Sequence, residues 1–340
     1  MNLERVFIVS KKEFFDQILG KKFLALFFML ILIAGVSVIS EYKKYNGEME
    51  AYANSGSTYL DEYGVIHYGD AIYNPSPVNI YYGIVSGLSG YIFGPLIAIS
   101  AGFNLITKEK ESGSIKSILS HPLYRDELIN GKAIGGIGAL AVATAGLFVL
   151  VTAILFLLSV VPSGEDFISI SILCGITILY LSGIFSMSLM MSSLTKNSGT
   201  SLIYSLILFI ILAYVATIVA PCASDLIIGP EPVIVDSNGF EFNDYNELSN
   251  YYSTQKIIEN TVEYFSIKNN YLYIGTALTK PSFFWAFKGA EDVHFYDYSK
   301  MGIDFEDILG KIWGNIVFLI AYPVVFFGIA YVRFMRMDLR

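Results

Sequence analysis

The 340-residue sequence predicts an all-α polytopic membrane protein with six transmembrane helices, and three observations lead to that fold class. Hydrophobic residues make up 54% of the chain and charged residues only 15%, against about 25% in typical soluble domains. Six stretches of 18 to 37 residues contain no Asp, Glu, Lys or Arg. The third observation is an uneven distribution of Lys and Arg between alternate loops. Each uncharged stretch can supply a helix of about 20 apolar residues, enough to cross a bilayer.

The spans follow from the uncharged stretches. The second span is expected to start after a turn at Asn74 to Pro77, and a turn at Pro162 to Asp166 predicts an antiparallel hairpin of spans 3 and 4. The predicted helix cores are Phe23 to Ile39, Ile84 to Ile106, Ile134 to Val160, Phe167 to Met191, Ser201 to Ala220 and Trp313 to Val332.

Charge placement predicts the orientation. With both termini in the cytoplasm, the segments on that side carry 14 Lys or Arg against 8 acidic residues, and the other side carries 8 against 22. Basic residues close to span ends are typical of the cytoplasmic side. We therefore expect a multi-pass protein of the plasma (cell) membrane with both termini cytoplasmic. The net charge of −8 is the sum of two opposite faces and gives no reason to expect a nucleic-acid partner.

The residues before the first span are expected to form an amphipathic helix at the inner membrane interface, because apolar residues alternate with charges at partly helical spacing over 3 to 19. A solvated arm is the alternative interpretation. A cleaved signal peptide is disfavoured because no A-x-A-like site follows the first hydrophobic run.

The predicted organisation has four parts. They are a cytoplasmic amphipathic connecting helix at 1–22; helices 1 to 5 at 23–221, with an outer loop at 41–83 and a cytoplasmic loop at 107–133; an extracellular insertion at 222–311; and helix 6 with a cytoplasmic tail at 312–340.

The insertion at 222–311 is expected to be an α/β unit between helices 5 and 6. Asn238-Gly239 predicts a β-hairpin over Val233 to Phe242, and a helix is predicted from Tyr245 to about Ile267. Residues 225 to 307 carry 14 acidic residues and 5 lysines, a balance of −9. Such a field would attract cationic solutes or partners, and a surface kept for solubility is the alternative.

Several functional classes lack the residues that they need. None of the six cores contains an ionisable residue of the kind that serves ion-coupled transporters, and no GxSxG or HExxH motif is present. The three histidines are isolated, and Cys174 and Cys222 are too far apart in the predicted topology to bridge. No metal site, disulfide or resident cofactor is expected.

Small residues recur at helical spacing in span 2 and at the start of span 3. Residues of this kind allow close helix packing, which is the role we assign to them in preference to ligand contact. They are Gly90, Gly94, Ala98, Gly102 and Gly135.

The loop at 107–133 has the pattern of a helix, a break, a short helix, a second break and a further helix. Ser112-Gly113 is expected to end the first helix, and Pro122 suits the first turn of the last one. A short amphipathic helix held below the membrane could transmit force to a partner. The alternative is a solvated loop of mixed charge.

This loop resembles that of the permease subunits of type-2 ATP-binding-cassette (ABC) exporters, over about 30 residues. The shared pattern is an acidic pair, Gly-Ser, a Leu-containing helix, Pro, Arg and finally Gly-Lys. The residues that match are Glu109, Glu111, Gly113, Ser114, Leu119, Pro122, Arg125, Gly131 and Lys132. The Lys11 to Phe14 segment is similar to the interfacial connecting helix of that family, and the six-span layout extends the resemblance along the chain.

The resemblance implies a permease that is not itself an enzyme. A separate ABC ATPase subunit would bind ATP and Mg, move the coupling loop and switch the permease between inward and outward states. A second permease copy would complete the pathway. This chain lacks a GxxxxGK[ST] phosphate-binding loop. The rival hypothesis is a membrane-anchored receptor or assembly protein that binds a ligand with its outer segment.

Overall fold

The computed structural model describes residues 2–55, 59–60, 66–67, 75–90, 93–114, 124–231, 234–235, 241–242, 245–281 and 305–337. Throughout these residues the chain is essentially helical. The helices are α1 (Leu3–Ile18), α2 (Lys21–Ser55), α3 (Tyr82–Gly90), α4 (Phe93–Gly102), α5 (Thr107–Glu111), α6 (Arg125–Leu157), α7 (Gly164–Leu194), α8 (Ser198–Ile210), α9 (Ala216–Ile228), α10 (Tyr245–Glu263), α11 (Ile267–Thr279) and α12 (Phe305–Met335).

Shorter elements complete the described chain. A 3₁₀ turn at Pro77–Tyr81 leads into α3, and a π-helical turn at Ile211–Val215 joins α8 to α9. Two antiparallel strand pairs are present, β1 (Tyr59–Leu60) with β2 (Ile66–His67), and β3 (Ile234–Val235) with β4 (Glu241–Phe242). Each strand is only two residues long, so neither pair forms a layer of the fold.

Within the described residues, five helical segments are long and apolar enough to span a bilayer. These are Lys21–Ala53, Arg125–Leu157, Gly164–Leu194, Ser198–Ile228 and Ile308–Met335. The predicted second span instead consists of Pro77–Gly90 and Gly94–Glu111, bent by 55°. The predicted count of six is reached only if this bent pair counts as one span.

Gly94 lies at the bend in the second span. A Cβ added there would come 2.8 Å from the Leu88 Cα, so the absence of a side chain lets the start of α4 approach α3. Hydropathy alone does not distinguish a straight helix from one bent at such a contact, and for this reason the bend was missing from the prediction.

The two ends of the helical bundle are identified by contacts between distant residues. At the end that carries both termini, called here the termini end, the Asn2 amide donates to Glu127 and the Arg125 side chain donates to the Met337 carbonyl. At the opposite end, Ser76 donates to Asp166 and Lys280 pairs with Glu41.

The α/β character predicted for 222–311 is not supported. The described residues there hold the end of α9, all of α10 and α11, the start of α12 and the β3–β4 pair. This pair matches the strands of the predicted hairpin over two residues each, and the Asn238-Gly239 turn lies outside the described residues. The predicted helix from Tyr245 to Ile267 ends at Glu263, because Ser266 begins a new helix by accepting from the Asn269 amide.

Helix α11 belongs to the core of the bundle. Its buried residues include Ile267, Tyr271, Ile274 and Ala277, and it packs against α3, α7 and α12. Tyr271 stacks on Tyr180 of α7 with the ring centroids 4.3 Å apart. This segment of the predicted extracellular insertion is therefore enclosed by the spans.

Candidate functional site

Lys132 is the centre of a charged cluster at the termini end. Its ammonium lies 2.8 Å from the Glu109 carboxylate and 3.3 Å from the Glu13 carboxylate, and only 7% of its side chain is exposed. Because Glu13 is on α1, Glu109 on α5 and Lys132 on α6, the cluster joins three elements. A buried cation requires compensating charges of this kind.

Two glycines on α6 allow α1 to lie close to the cluster. A Cβ added at Gly135 would come 2.5 Å from the Ser10 carbonyl oxygen, and one at Gly131 would come 2.6 Å from the Val9 Cβ. Residues of α1 thus occupy the space that larger side chains at positions 131 and 135 would fill. This contact brings Glu13 within reach of Lys132.

Glu111 connects the end of α5 to the start of α8. Its carboxylate accepts from the Ser198 amide at 2.6 Å and from the Ser198 hydroxyl at 2.8 Å. Ser198 is the first residue of α8, whose initial amides have no partner within the helix. The carboxylate therefore satisfies an unpaired donor and interacts favourably with the positive end of the helix dipole.

Gly113 and Ser114 lie at the break that follows α5. Gly113 has φ of +69°, a conformation that side chains strain, and the Ser112 and Ser114 hydroxyls are 2.8 Å apart. This agrees with the predicted helix end at Ser112-Gly113. Leu119 and Pro122 lie outside the described residues.

Arg125 connects the start of α6 to the end of α12. Its Nη1 donates to the Met335 carbonyl at 3.1 Å and to the Met337 carbonyl at 2.7 Å. Carbonyls at a helix C-terminus lack intrahelical partners and favour a cation. Arg125, one of the residues predicted from the sequence, thus holds the end of α12 against the start of α6.

A cavity of ≈ 960 Å³ opens beside the Lys132 cluster, between α1 and the α4–α5 segment. The Gln17 side chain crosses from α1 to donate to the Ala101 carbonyl at 2.8 Å. The charged residues that line the cavity are Lys12, Glu13, Asp16, Lys21, Lys22, Lys108, Glu109, Glu111 and Lys132. No group of three or more His, Cys, Asp or Glu residues in the described ranges is arranged to hold a metal ion.

Residues 7–339 match the ABC-2 family transporter protein family. The chain belongs to this family. The match covers nearly the whole chain, and no curated protein matches it. The resemblance found in the 107–133 loop is thereby confirmed at the level of the family.

Membership of the ABC-2 family supports a permease subunit of an ABC transporter. Proteins of this family are membrane components of transporters and are typically non-catalytic. Membership of the family implies an ATPase partner. The apolar helices agree with a multi-pass membrane protein.

The small residues predicted to pack helices in this ABC-2 chain differ in how closely neighbouring residues approach them. A Cβ at Gly102 would come 2.8 Å from the Phe185 carbonyl of α7, and Ala98 is fully buried. Gly94 contacts Leu88 and Gly135 contacts α1, as described above. A Cβ at Gly90 would meet no described residue within 4 Å.

Lys110 was missed by the sequence analysis of this ABC-2 chain. Its ammonium donates to the carbonyls of Ser192, Ser193 and Thr195 at 3.2, 2.8 and 3.0 Å, and so caps the end of α7. The only signal was a lysine between Glu109 and Glu111, and its carbonyl partners are more than 80 residues away. Spacing along the chain does not reveal such a contact.

Proposed function

We propose that this ABC-2 family member is the permease subunit of an ABC exporter, driven by a separate ATPase subunit that docks at the termini end. In this proposal the termini end faces the cytoplasm, as the distribution of Lys and Arg favours. Two permease copies form the pathway between them. ATP and Mg are bound by the ATPase.

The observation that carries the proposal is the convergence of connections on α5 and the residues that follow it. This helix has only five residues, yet Lys110 binds the end of α7, Glu111 binds the start of α8, and Glu109 shares Lys132 with α1. A displacement of α5 would therefore act directly on α6, α7 and α8, and through Lys132 on α1. Such an element is suited to transmit movement from a docked ATPase to the spans.

Charge-compensated contacts would make this transmission rigid. The Lys132 ammonium has two carboxylate partners, and removing either one leaves a desolvated charge with less compensation. The α1 helix, held by Gly131 and Gly135, would move together with α5 and α6. The permease would then change between inward and outward states as a connected unit.

Site-specific photo-crosslinking tests the docking face. The chain is expressed with a candidate ABC ATPase subunit, and a photoreactive amino acid replaces either Ser112 at the exposed end of α5 or Ser163 at the exposed turn between α6 and α7. We expect crosslinks to the ATPase from position 112 and none from position 163. Native mass spectrometry of the complex should give two copies of each subunit.

The control at position 163 lies at the opposite end of the bundle and has the same parent residue. Crosslinking from position 163 alone would place the ATPase at the wrong end and overturn the proposal. Failure of any ATPase to co-purify would favour the receptor or assembly hypothesis.

A further inference from the structure

The turn between α10 and α11 lies halfway along the bundle. The Ser266 hydroxyl donates to the Ala213 carbonyl at 2.9 Å, and Ala213 is the central residue of the Ser198–Ile228 span. It is therefore about 22 Å from either end of that span. A Cβ at Gly183, near the middle of α7, would come 3.1 Å from Ile267 and 3.3 Å from Tyr322. Residues near the middle of three separate spans thus lie around the start of α11, which places that start about halfway along the bundle.

From this depth α11 runs to the opposite end of the bundle. Its 13 residues cover about 20 Å, and Lys280, just beyond its last residue, pairs with Glu41 and lies over the Tyr82 ring. Helix α11 is therefore a half-length helix whose N-terminus is inside the bundle. The positive end of its dipole points into the membrane interior.

Lys268 lies in the first turn of α11, at this central depth. Its ammonium is 4.4 Å from the centroid of the Tyr214 ring, and the residue is only half-buried. Within the described residues no carboxylate lies within 4 Å of it. The sequence did not predict this intramembrane cation, because the whole segment was expected to lie outside the bilayer.

An ammonium at this depth needs an aqueous or anionic neighbour. The centre of a bilayer is about 15 Å from either edge of the hydrocarbon, too far for a lysine side chain to reach the interface. Charged residues within spans face a water-filled cavity or a partner, not lipid. The Tyr214 ring stabilises the cation only on one side, and the dipole of α11 adds positive potential.

One buried polar group that packs against α11 also has no hydrogen-bond partner among the described residues. The Tyr180 hydroxyl is fully buried without a hydrogen bond among the described residues, and the Tyr180 ring stacks on Tyr271 of α11. Tyr214 itself belongs to the π-helical turn at Ile211–Val215, a distortion that is frequent at functional sites. Among the described residues, the region thus combines a cation without a carboxylate partner, a hydroxyl without a hydrogen bond and a distorted span.

We propose that Lys268 binds a phosphate group of the transported solute at the midpoint of the pathway. This proposal rests on the proposed function. The acidic balance of residues 225 to 307 was expected to attract cationic solutes, but it would repel an anion released from Lys268 and so favour its departure.

Binding to the purified full-length permease tests the site directly. Three probes share one scaffold: dioctanoyl phosphatidic acid, glycerol 3-phosphate and dioctanoylglycerol. Calorimetry in a neutral detergent measures their affinities for the wild type, Lys268→Gln, Lys268→Arg and the control Lys43→Gln. Lys43 is exposed on α2, away from the α10–α11 turn.

We expect a phosphate-bearing probe to bind the wild type, Lys268→Arg and Lys43→Gln, and to lose roughly tenfold or more in affinity with Lys268→Gln. The two phosphate probes distinguish a lipid-borne anion from a soluble one. Equal affinity in Lys268→Gln and the wild type, or binding of neither phosphate probe to the wild type, would overturn the proposal.

A second measurement connects the site to transport. In the complex with the ATPase, the bound probe should stimulate ATP hydrolysis in the wild type but not in Lys268→Gln. Binding without stimulation in the wild-type complex would overturn the role in transport. Because binding is measured without the ATPase, a failure to assemble the complex counts against the proposed function alone.

Discussion

Lys132 and Glu109 form an ion pair of 2.8 Å that joins α6 to α5, and the two residues lie near opposite ends of the 107–133 loop. Glu13 reaches the same ammonium from α1 at 3.3 Å. The helices on both sides of the loop, and the helix at the N-terminus, are thus held by one buried cation. The loop is closed at its base by electrostatics as well as by packing.

Lys132→Met should destabilise the permease by about 3–5 kcal/mol, because it leaves two desolvated carboxylates facing each other. Thermal unfolding in detergent measures the loss. Lys11→Met, an exposed position on α1, is the control. The triple variant Lys132→Met, Glu13→Gln and Glu109→Gln should recover much of the stability. Equal unfolding temperatures for Lys132→Met and Lys11→Met would show that the cluster is not needed for stability.

Glu111→Ala and Ser198→Ala should each uncouple ATP hydrolysis from transport with little change in stability, because their contact is at the exposed end of α5. The variants should not be additive, since Glu111→Ala removes both hydrogen bonds between α5 and α8, and Ser198→Ala removes one of the same two, the bond from the hydroxyl. ATPase activity and transport are measured together in liposomes. Wild-type coupling in both single variants would remove this contact from the mechanism.

Gly135→Ala and Gly146→Ala should have opposite effects, although both lie on α6. The new methyl at 135 meets the Ser10 carbonyl at 2.5 Å, while position 146 has nothing within 4 Å. We expect Gly135→Ala to cost about 1–3 kcal/mol through overpacking. Gly146→Ala should add up to about 1 kcal/mol through helix propensity. Chemical or thermal unfolding measures the change in stability of each variant, and equal changes would contradict the close approach of α1.

The spans could be predicted because a long uncharged stretch is a direct requirement of hydrocarbon. Phe23, Ile134 and Trp313 all lie in spans of the structure, as predicted. Contacts between elements have no such local signal. The bend at Gly94 depends on Leu88 in the folded chain, and hydropathy is the same with or without it.

The candidate site was found only in part for a similar reason. Glu109, Arg125 and Lys132 were identified through a resemblance, which named the residues but not their partners. The carbonyls bound by Arg125 lie more than 200 residues away in sequence. Lys268 was missed because Lys and two Asn residues make the start of α11 polar, which is typical of a loop outside the bilayer.

Cysteine labelling should show that the termini end is cytoplasmic. In a chain whose Cys174 and Cys222 are replaced by Ser, we introduce Ser112→Cys at the termini end or Glu165→Cys at the opposite end. Both positions are exposed. The excess of Lys and Arg near the termini end predicts that a membrane-impermeant maleimide labels Glu165→Cys in intact cells and Ser112→Cys only after permeabilisation.

Ser237→Cys provides a third position, in the segment predicted to be extracellular, and should be labelled in intact cells. Denatured samples labelled in detergent control for the reactivity of each cysteine. Labelling of Ser112→Cys in intact cells, with protection of Glu165→Cys, would invert the orientation and place the Lys132 cluster outside the cell. Since ATP is in the cytoplasm, that result would also exclude an ATPase docked at the termini end.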